Sequence, residues 1–426
     1  MEVLQAQALQ ARAAGQHERA VAAWRALLRQ HPDDWRLALE LKRDLKAALH
    51  FPDSDPQFRR AARALPDAEW LAHYAALYQF HGEDLDWLDR RARALLRQSP
   101  GDHRLHAIEG DVASQRRDWP GAEAAFAHAF AAQPENAEYA AKRDTAAMYQ
   151  RLAGTAAVSP ADYAADYAIA FINLDRNAER AAEIARQFAG CAAPLHRIPG
   201  VEGGRLAAAA VHKLGADPGM RGTLGCFLSH AAAWEAMLDR GDPHCLVVED
   251  DVVPLLDLPP TLAGFGLPPR FDPNFDLCFV NDRIAPWTDP AAVHAFVAHK
   301  LPAAIAAFHP DDNAPGGDGY LLSRAGAQKL LAWVAEDGFA ADVDWRLLAY
   351  GLTPAAIATI PRPSHAATEL DRLQATVGRA DRLQAKVGRA DRLQAYVLHP
   401  PLIRSVGVSS DREDENRRHP APTRPG

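Results

Sequence analysis

A period of 34 residues runs through the first third of the chain. Pro32, Pro66, Pro100 and Pro134 stand 34 residues apart. The residues eight positions before these prolines are small or aromatic: Trp24, Phe58, Ala92 and Phe126. The residues five positions before them are Leu or Ala: Leu27, Ala61, Leu95 and Ala129. Small residues let two helices approach, an aromatic side chain fills the space between them, and proline ends the second helix. The period therefore predicts a stack of helix pairs.

This pattern resembles the tetratricopeptide repeat over about residues 1–136. Residues 137–152 are expected to form a closing helix over the last repeat, so the predicted array spans 1–152. A linker is predicted at 153–165, around Ser159 and Pro160. The resemblance implies a face that binds a peptide or a protein partner. Packing on a neighbouring domain, or self-association, is the alternative.

Composition narrows the class of protein. The 426 residues are 48% hydrophobic and 24% charged, which suits packed cores and excludes global disorder. The net charge of −8 argues against a nucleic-acid partner, and no apolar run approaches the roughly 18 residues of a membrane span. Four scattered cysteines exclude a disulfide framework, and the first ten residues do not have the pattern of a secretory signal. We expect a cytoplasmic protein without a membrane span, with peripheral attachment to the inner membrane left open.

The pattern then changes, because a short apolar run over 168–174 predicts a buried strand. Asp175 is expected to cap a helix that ends near Phe188. Arg176 and Arg180, four residues apart, would then share one face of that helix beside the carboxyl end of the strand. Ligands bind at that end of open α/β sheets, so the two arginines could hold phosphates. A solvated helix face is the alternative.

A second unit carries a cluster of acidic residues. Gly222–Gly225 lead into a helix, and Ser229 and His230 are expected near its start, where backbone N–H groups favour anions. A structural Ser-His pair is the alternative, since no Asp partner for a hydrolase triad is evident. The apolar run His244–Val248 predicts another buried strand, and Glu249–Asp251 follow it directly. Crowded carboxylates repel one another unless cations or hydrogen-bond donors offset them, and their hard oxygens suit Mg²⁺ or Mn²⁺.

A set of ordered segments carries a family resemblance. The segments are Phe171–Arg176, Arg197–Val201, Leu224–His230, Leu246–Val252, Gly317–Ser323, Val343–Leu347, and Pro400–Ile403 with Ser410–Asp411. Over about residues 167–411 the chain resembles glycosyltransferase family 25, the lipooligosaccharide and collagen galactosyltransferases. The resemblance implies an α/β fold of the GT-A nucleotide-sugar type, predicted here for 166–408. It also implies an inverting transfer of a hexose, commonly galactose, from a UDP-sugar. The acceptor would be a hydroxyl of a glycan, a lipid-linked glycan or a protein, as in lipooligosaccharide biosynthesis.

The same resemblance implies roles for individual residues. Glu249 and Asp251 would bind a divalent cation, Mn²⁺ or Mg²⁺, which neutralises the leaving UDP. Contacts with the donor are implied for six residues: Asn173, Arg176, Arg180, Ser229, His230 and Asp250. The two arginines would lie by the uridine or the diphosphate, and Asp250 would orient either the ribose or the residues around the metal ligands.

Inversion in one step requires a carboxylate that takes the proton from the acceptor hydroxyl. Asp344 is the first candidate for this catalytic base, and Asp318 is the second. The alternative for Asp344 is an N-cap before a helix that begins at Trp345.

The C-terminal region contains a decapeptide that begins at Asp371 and recurs at Asp381 and Asp391. We interpret residues 371–395 as an in-frame duplication that lengthens a surface helix or loop of the α/β domain, and a partner-binding device is the alternative. His365 is either an additional metal ligand or a plain loop residue. Residues 409–426 are charged and contain prolines, so a disordered tail is predicted.

A different class of function also fits these patterns. In an adaptor, the helical array would bind partners and the α/β domain would bind a sugar nucleotide without turnover. The intact Glu249–Asp251 cluster favours the enzyme, because a domain without catalysis has no need for three crowded carboxylates.

Overall fold

The computed structural model describes residues 2–32, 34–47, 71–72, 82–155, 167–189, 191, 193–214, 216, 219–256, 272–284, 289–305, 316–339, 342–359 and 392–405. These residues belong to two compact units, one within residues 1–146 and one within 147–405. The regular elements described in the first unit are helices, and the second unit is a mixed α/β domain. Among the described residues, no helix combines the length and hydrophobicity that a membrane crossing requires.

The helices of the N-terminal region pack on their neighbours in the chain. They are α1 (Glu2–Ala13), α2 (His17–Gln30), α3 (Trp35–Ala47), α4 (Gly82–Leu96), α5 (His103–Gln115), α6 (Trp119–Ala132) and α7 (Ala137–Thr155). α1 packs on α2, α2 on α3, α4 on α5, and α5 on α6. At the positions eight and five residues before the prolines, the described residues are all buried: Trp24, Leu27, Ala92, Leu95, Phe126 and Ala129. A helical region is therefore confirmed, while the tetratricopeptide identity of its repeats stays a prediction.

α7 begins where the closing helix is expected. Lys142 Nζ lies 3.0 Å from Asp111 Oδ1 on α5 and 5.7 Å from the centre of the Phe126 ring on α6. The Arg143 guanidinium lies 4.9 Å from the centre of the Phe130 ring. The first turns of α7 therefore cover both helices of the preceding pair.

The described part of the second unit is built on a seven-stranded sheet. Its strands are β1 (Ala168–Asn173), β2 (Leu195–Pro199), β3 (His244–Glu249), β5 (Leu277–Phe279), β6 (Val297–Lys300), β7 (Gly319–Ser323) and β8 (Ala395–His399), while β4 (Val252–Pro254) pairs with β9 (Ile403–Ser405) in a separate ladder. The order across the main sheet is β2-β1-β3-β7-β5-β8-β6. β1 is parallel to β2 and β3, whereas β7 is antiparallel to both β3 and β5. This mixed sheet is consistent with the GT-A-like fold that the resemblance implies.

Seven helices accompany the sheet in the described part of the second unit. They are α8 (Ala178–Gln187), α9 (Ala208–Lys213), α10 (Arg221–Arg240), α11 (Leu301–Ile305), α12 (Arg324–Asp337), α13 (Val343–Gly351) and α14 (Pro354–Thr359). The apolar face of α10 packs into the core through Phe227, Trp234 and Met237. β1 and β3 are the buried strands that the two apolar runs predict.

Two small residues of α10 hold it against the segment that follows β2. A Cβ on Gly225 would lie 2.7 Å from the backbone nitrogen of Gly203, so only glycine permits this approach. Ser229 Oγ accepts a hydrogen bond from the Val201 N–H at 2.8 Å and donates one to the Gly225 carbonyl at 2.7 Å. Ser229 is buried, and these contacts fix α10 relative to the sheet edge.

The first predicted helix of the α/β domain begins later than expected. α8 begins at Ala178, and Asn177, whose side chain makes no capping hydrogen bond, occupies the N-cap. The Asp175 carboxylate instead accepts a hydrogen bond from Arg197 at 2.6 Å, so the prediction that Asp175 caps the helix is wrong. Arg176 lies in the turn before α8, and it therefore does not share a helical face with Arg180.

The start of α10 also differs from the prediction. α10 begins at Arg221, which places Ser229 and His230 in its third turn rather than near its N-terminus. Backbone N–H groups in the third turn are used within the helix, so the expectation of an anion site there is wrong. The helix already includes residues 221–224, and its first turn packs closely on Gly203, where a Cβ would overlap the Arg221 carbonyl oxygen.

Several predictions fall outside the described residues. They concern Phe58 and Ala61, most of the linker at 153–165, His365, the decapeptide copies before residue 392, Ser410–Asp411 and the tail at 409–426.

A buried carboxylate joins the first three helices of the N-terminal region. The Asp44 side chain, on α3, is fully buried. Its Oδ2 accepts hydrogen bonds from Trp24 Nε1 and from Arg12 Nη2, each at 2.7 Å, and its Oδ1 lies 2.9 Å from His17 Nδ1. Burial acts to raise the pKa of Asp44, but hydrogen bonds from Arg12, His17 and Trp24 more than offset it and hold the pKa below its ordinary value. Asp44 thus links α1, α2 and α3 as an ionised group.

We expect Asp44→Ala to destabilise these helices by about 3 kcal/mol, because it leaves the Trp24 N–H and the Arg12 guanidinium without their buried acceptor. Hydrogen exchange measured by mass spectrometry would report faster exchange in peptides from α1–α3. Glu40→Ala is a matched control, since Glu40 also pairs with Arg12, at 2.6 Å, but is partly exposed and contributes below about 1 kcal/mol. Equal effects of the two variants would contradict the role of Asp44.

The same carboxylate gives these helices a defined pH dependence. Because the folded pKa of Asp44 is lowered, its contribution is fully present above the unfolded pKa of about 3.9. The contribution is lost as the pH falls through the folded pKa. Exchange in α1–α3 should therefore accelerate, after correction for the intrinsic rate, as the pH falls below about 4 in the wild type but not in Asp44→Ala.

Candidate active site

One edge of the sheet collects most of the predicted polar residues. Because β1, β3 and β5 run in the same direction and β7 runs opposite to them, three carboxyl ends and one amino end meet there. The residues at these ends are Asn173, Glu249–Asp251, Asn281–Arg283 and Asp318. This is the edge at which open α/β sheets bind ligands.

Asn173 connects β1 to the acidic cluster. Its Nδ2 donates to Asp250 Oδ2 at 2.6 Å and to the Asn177 carbonyl at 3.0 Å, and its Oδ1 accepts from Arg197 Nε at 2.8 Å. Arg180 Nη1 lies 3.3 Å from the other oxygen of Asp250. Asn173 is buried and both of its amide hydrogens are used, so its geometry suits fixing Asp250 in place.

The three consecutive carboxylates differ in their surroundings. Burial raises the pKa of Asp250, although Arg180 and Asn173 partly offset this effect. Burial, together with repulsion from Glu249 and Asp250, raises the pKa of Asp251 to about 8. In the described part of the chain, Asp251 Oδ1 is buried and has no hydrogen-bond partner. Asp251 is therefore the carboxylate of this cluster whose ionised form a nearby positive charge would stabilise most.

The donor set fits a hard divalent cation. Glu249 and Asp251 supply carboxylate oxygens at the end of one buried strand, and the orphaned Oδ1 of Asp251 is a site that a cation would satisfy. Cys226 and His230 also lie close to Glu249, and one ligand atom from each of the three lies within 4.8 Å of the others. The His230 nitrogen of this trio is 3.2 Å from Glu249 Oε1, at hydrogen-bond distance.

Asp318 occupies the amino end of β7 with two partners that sequence reasoning missed. Asn281 Nδ2 donates to Asp318 Oδ1 at 2.5 Å, and Arg283 Nε donates to Asp318 Oδ2 at 2.9 Å. Burial raises the pKa of Asp318 to about 6, against the effect of Arg283. The signal for these residues is present in the sequence, since polar Asn281–Arg283 directly follow the apolar run Leu277–Val280.

Asp344 reaches the same region from α13. Its Oδ1 accepts a hydrogen bond from the Gly317 N–H at 2.7 Å, and the side chain is buried. The N-cap of α13 is Asp342, which accepts a hydrogen bond from the Asp344 N–H at 3.1 Å. The N-cap alternative for Asp344 is therefore wrong, because the helix begins two residues earlier than Trp345 and its cap is the preceding aspartate.

The remaining predicted site residues lie around this edge. Arg176 Nη1 is 3.2 Å from Glu202 Oε2, so Arg176 and Arg180 pair with different carboxylates. Ser229 makes the two backbone hydrogen bonds that hold α10. The structure thus brings Glu249, Asp250, Asp318 and Asp344 to this edge of the sheet, where the strand ends meet. Arg176 and Ser229 lie at the periphery of this group.

Gly317 lies between the Asp344 carboxylate and the His230 ring. A methyl group added at this position is therefore expected to destabilise the domain. A Cβ at Gly317 would lie 2.9 Å from Asp344 Oδ1 and 3.2 Å from His230 Cε1. We expect Gly317→Ala to lower the free energy of unfolding of this domain by about 2 kcal/mol through overpacking, measured by thermal unfolding. Gly319→Ala is the matched control, since its Cβ would meet Ile403 and Asn281 at ordinary distances of 3.4 and 3.5 Å. A destabilisation by Gly319→Ala as large as that by Gly317→Ala would contradict overpacking as the cause.

Comparison with known proteins identifies a match that includes part of this edge. Residues 167–255 match the sequence model of glycosyltransferase family 25, described as an LPS biosynthesis protein. This stretch contains β1 to β4 and the Glu249–Asp251 cluster.

Two curated proteins are similar over regions of comparable length. A "Glycosyltransferase 25 family member" from Anopheles gambiae is 33% identical over 96 residues, which are 20% of this chain and 16% of that protein. "Lacto-N-neotetraose biosynthesis glycosyltransferase LgtB" from Neisseria gonorrhoeae is 38% identical over 109 residues, which are 24% of this chain and 39% of that protein. The chain therefore spans less than half the length of each of these relatives, and the match to the family model lies within the α/β domain.

Proposed function

We propose that the α/β domain is a metal-dependent, inverting glycosyltransferase that moves a hexose from a UDP-sugar to a hydroxyl group of a glycan. The observation that carries the proposal is the position of Glu249–Asp251. These carboxylates end a buried strand within the stretch that matches the family model, and an orphaned oxygen of Asp251 lies among them. Galactose is the first choice for the sugar, since it is the hexose that the family resemblance commonly implies. A lipooligosaccharide-type glycan is the first choice for the acceptor, because the matching family model is described as an LPS biosynthesis protein and one relative is named a glycosyltransferase of lacto-N-neotetraose biosynthesis.

Glu249 and Asp251 would hold the cation. When bound, Mn²⁺ or Mg²⁺ supplies charge neutralisation for the diphosphate of the leaving UDP. Arg180 and Asn173 hold Asp250 beside this position, through contacts of 3.3 and 2.6 Å, and the proposal keeps Asp250 as the residue that orients the ribose. Donor contacts by Asn173, Arg176, Arg180, Ser229 and His230 remain predictions.

The transfer step requires one base. The acceptor oxygen forms a bond with the anomeric carbon, the bond from that carbon to the UDP oxygen breaks, and the acceptor proton passes to a carboxylate. We assign this role to Asp344, because Arg283 and Asn281 already offset the charge of Asp318 and weaken its attraction for a proton. The raised pKa of Asp318 is the argument for the alternative, and the two residues are tested together.

The proposed activity predicts UDP release that depends on Asp251. With Mn²⁺, the wild-type protein should release UDP from one of UDP-galactose, UDP-glucose and UDP-N-acetylglucosamine. Asp251→Ala should reduce this rate at least about 100-fold, since charge on the leaving group is no longer offset. Mn²⁺ should also raise the thermal midpoint of the wild type and not that of the variant.

Asp239→Ala is the matched control, because Asp239 is exposed near the end of α10. It should retain wild-type turnover and the wild-type thermal response to Mn²⁺. Absence of turnover with every UDP-hexose, combined with UDP binding that Asp251→Ala leaves intact, would contradict the enzyme and favour the adaptor.

The assignment of the base predicts a separation of turnover from binding. Asp344→Asn should lower kcat by about 10² to 10⁴ through loss of proton transfer, while UDP affinity measured by calorimetry stays unchanged. Asp318→Asn should lower kcat less than Asp344→Asn. Unchanged turnover in Asp344→Asn would remove this residue as the base, and a larger loss in Asp318→Asn would transfer the role to Asp318.

A further inference from the structure

A chain of buried hydrogen bonds leads from the core to Glu249. Trp234 Nε1 donates to the Tyr320 hydroxyl at 2.8 Å, the Tyr320 hydroxyl lies 2.9 Å from His230 Nδ1, and His230 Nε2 lies 3.2 Å from Glu249 Oε1. Trp234, Tyr320 and His230 are all fully buried. Trp234 and His230 belong to α10, Tyr320 belongs to β7, and Glu249 ends β3. The chain therefore connects three elements of the domain.

The direction of each hydrogen bond follows from the donors and acceptors. An indole nitrogen only donates, so the Tyr320 oxygen accepts from Trp234 and has its own hydrogen to give. Since Tyr320 is fully buried, that hydrogen requires an acceptor, and His230 Nδ1 is the one that the structure provides. The other ring nitrogen, Nε2, then carries a proton and donates it to the carboxylate of Glu249. In this arrangement the Trp234 N–H, the Tyr320 hydroxyl and both ring nitrogens of His230 each have a hydrogen-bond partner.

Packing holds the imidazole in this orientation. The His230 and Tyr320 rings stack with centroids 5.8 Å apart and planes 25° apart. On another side, a Cβ at Gly317 would lie 3.4 Å from His230 Nε2, so the Gly317 backbone closely approaches the ring. The ring cannot flip without breaking both of its hydrogen bonds inside the core. One turn earlier on α10, Cys226 Sγ lies 3.9 Å from the same oxygen of Glu249.

These contacts decide between two roles for His230. As a metal ligand in the Cys226–His230–Glu249 trio, its Nε2 would need a free lone pair toward the cation. The hydrogen-bond direction places a proton on that nitrogen instead. We propose that His230 is a positioning residue, which uses the Trp234–Tyr320 chain to present Nε2–H to Glu249 and so fixes this carboxylate for binding a divalent cation. This inference rests on the proposed function for the identity of the cation site.

The tautomer is measurable without any metal or substrate. In protein labelled with ¹⁵N-histidine, long-range ¹H–¹⁵N correlation should give His230 an unprotonated Nδ1 and a protonated Nε2, assigned by the loss of these signals in His230→Gln. Tyr320→Phe, which removes the hydroxyl and keeps the ring, should weaken the preference for this tautomer, because only the Glu249 carboxylate then favours a proton on Nε2. A proton on Nδ1 in the wild type would contradict the proposed direction of these hydrogen bonds.

The positioning role is tested by Mn²⁺ affinity in calorimetric titrations of the full-length protein with the metal alone. His230→Met keeps the bulk but removes the N–H, and it should weaken Mn²⁺ binding by about 10- to 100-fold, the usual effect of losing a partner that orients a ligand. In His230→Gln the amide nitrogen can occupy the place of Nε2, so most of that loss should be recovered. His212→Met, at an exposed position on α9, is the matched control and should bind Mn²⁺ as the wild type does.

The outcomes separate this inference from the proposed function. If His230→Met is folded by circular dichroism and binds Mn²⁺ as tightly as the wild type, the positioning role is wrong while the transferase remains. If His230→Gln loses as much affinity as His230→Met, the N–H is not the required group, and the role is again wrong. If the wild type neither binds Mn²⁺ nor releases UDP, the proposed function fails, and with it the role of His230 toward a cation.

Discussion

The crowding of carboxylates at one edge of a buried sheet is the constraint on which the α/β domain depends. Glu249, Asp250 and Asp251 leave β3 together, and Asp318 and Asp344 approach from β7 and α13. Burial and mutual repulsion both oppose ionisation there, which is why the pKa values of Asp250, Asp251 and Asp318 are raised. The fold offsets this with donors on each side of the cluster, supplied by the residue pairs Asn173 with Arg180 and Asn281 with Arg283. The strand order matters because it places these pairs on opposite sides of β3 and β7.

The segment from Leu224 to His230 shows how one short motif serves two purposes. Gly225 and Ser229 face the backbone after β2 and hold α10 against it. Cys226 and His230, on a different face of the same turns, approach Glu249. A helix that presents side chains to a carboxylate must itself be fixed, because a shift of even about 1 Å would break the hydrogen bond between His230 and Glu249. Gly225 and Ser229 therefore fix the position of the helix, and this keeps Cys226 and His230 beside Glu249.

Local patterns in the sequence predict the parts of this architecture that depend on local chemistry. β1 and β3 are predicted because a short apolar run that ends in polar residues is typical of a buried strand. The burial of the periodic residues from Trp24 to Ala129 is expected because paired helices pack on these positions. The starts of α8 and α10 are not predicted, because neither N-cap residue makes a side-chain hydrogen bond that a capping motif would signal. Asn281 and Arg283 are missed for a different reason. Their partner, Asp318, is 37 and 35 residues away, and only the antiparallel pairing of β5 with β7 brings them together.

The ionisation of the carboxyl groups at this edge of the sheet connects the stability of the α/β domain to the proposed binding of a cation. For a carboxyl group with a raised folded pKa, stability is greatest below the unfolded pKa of about 3.9 and declines as the pH rises through the folded pKa. With pKa values of about 6 for Asp318 and about 8 for Asp251, this decline spans neutral pH. A divalent cation at the proposed site beside Asp251 would favour the ionised form and so oppose the decline, and its affinity would then rise with pH while the cation-free domain loses stability. The repulsion that weakens the cation-free domain is therefore the same interaction that a cation at the proposed site would relieve.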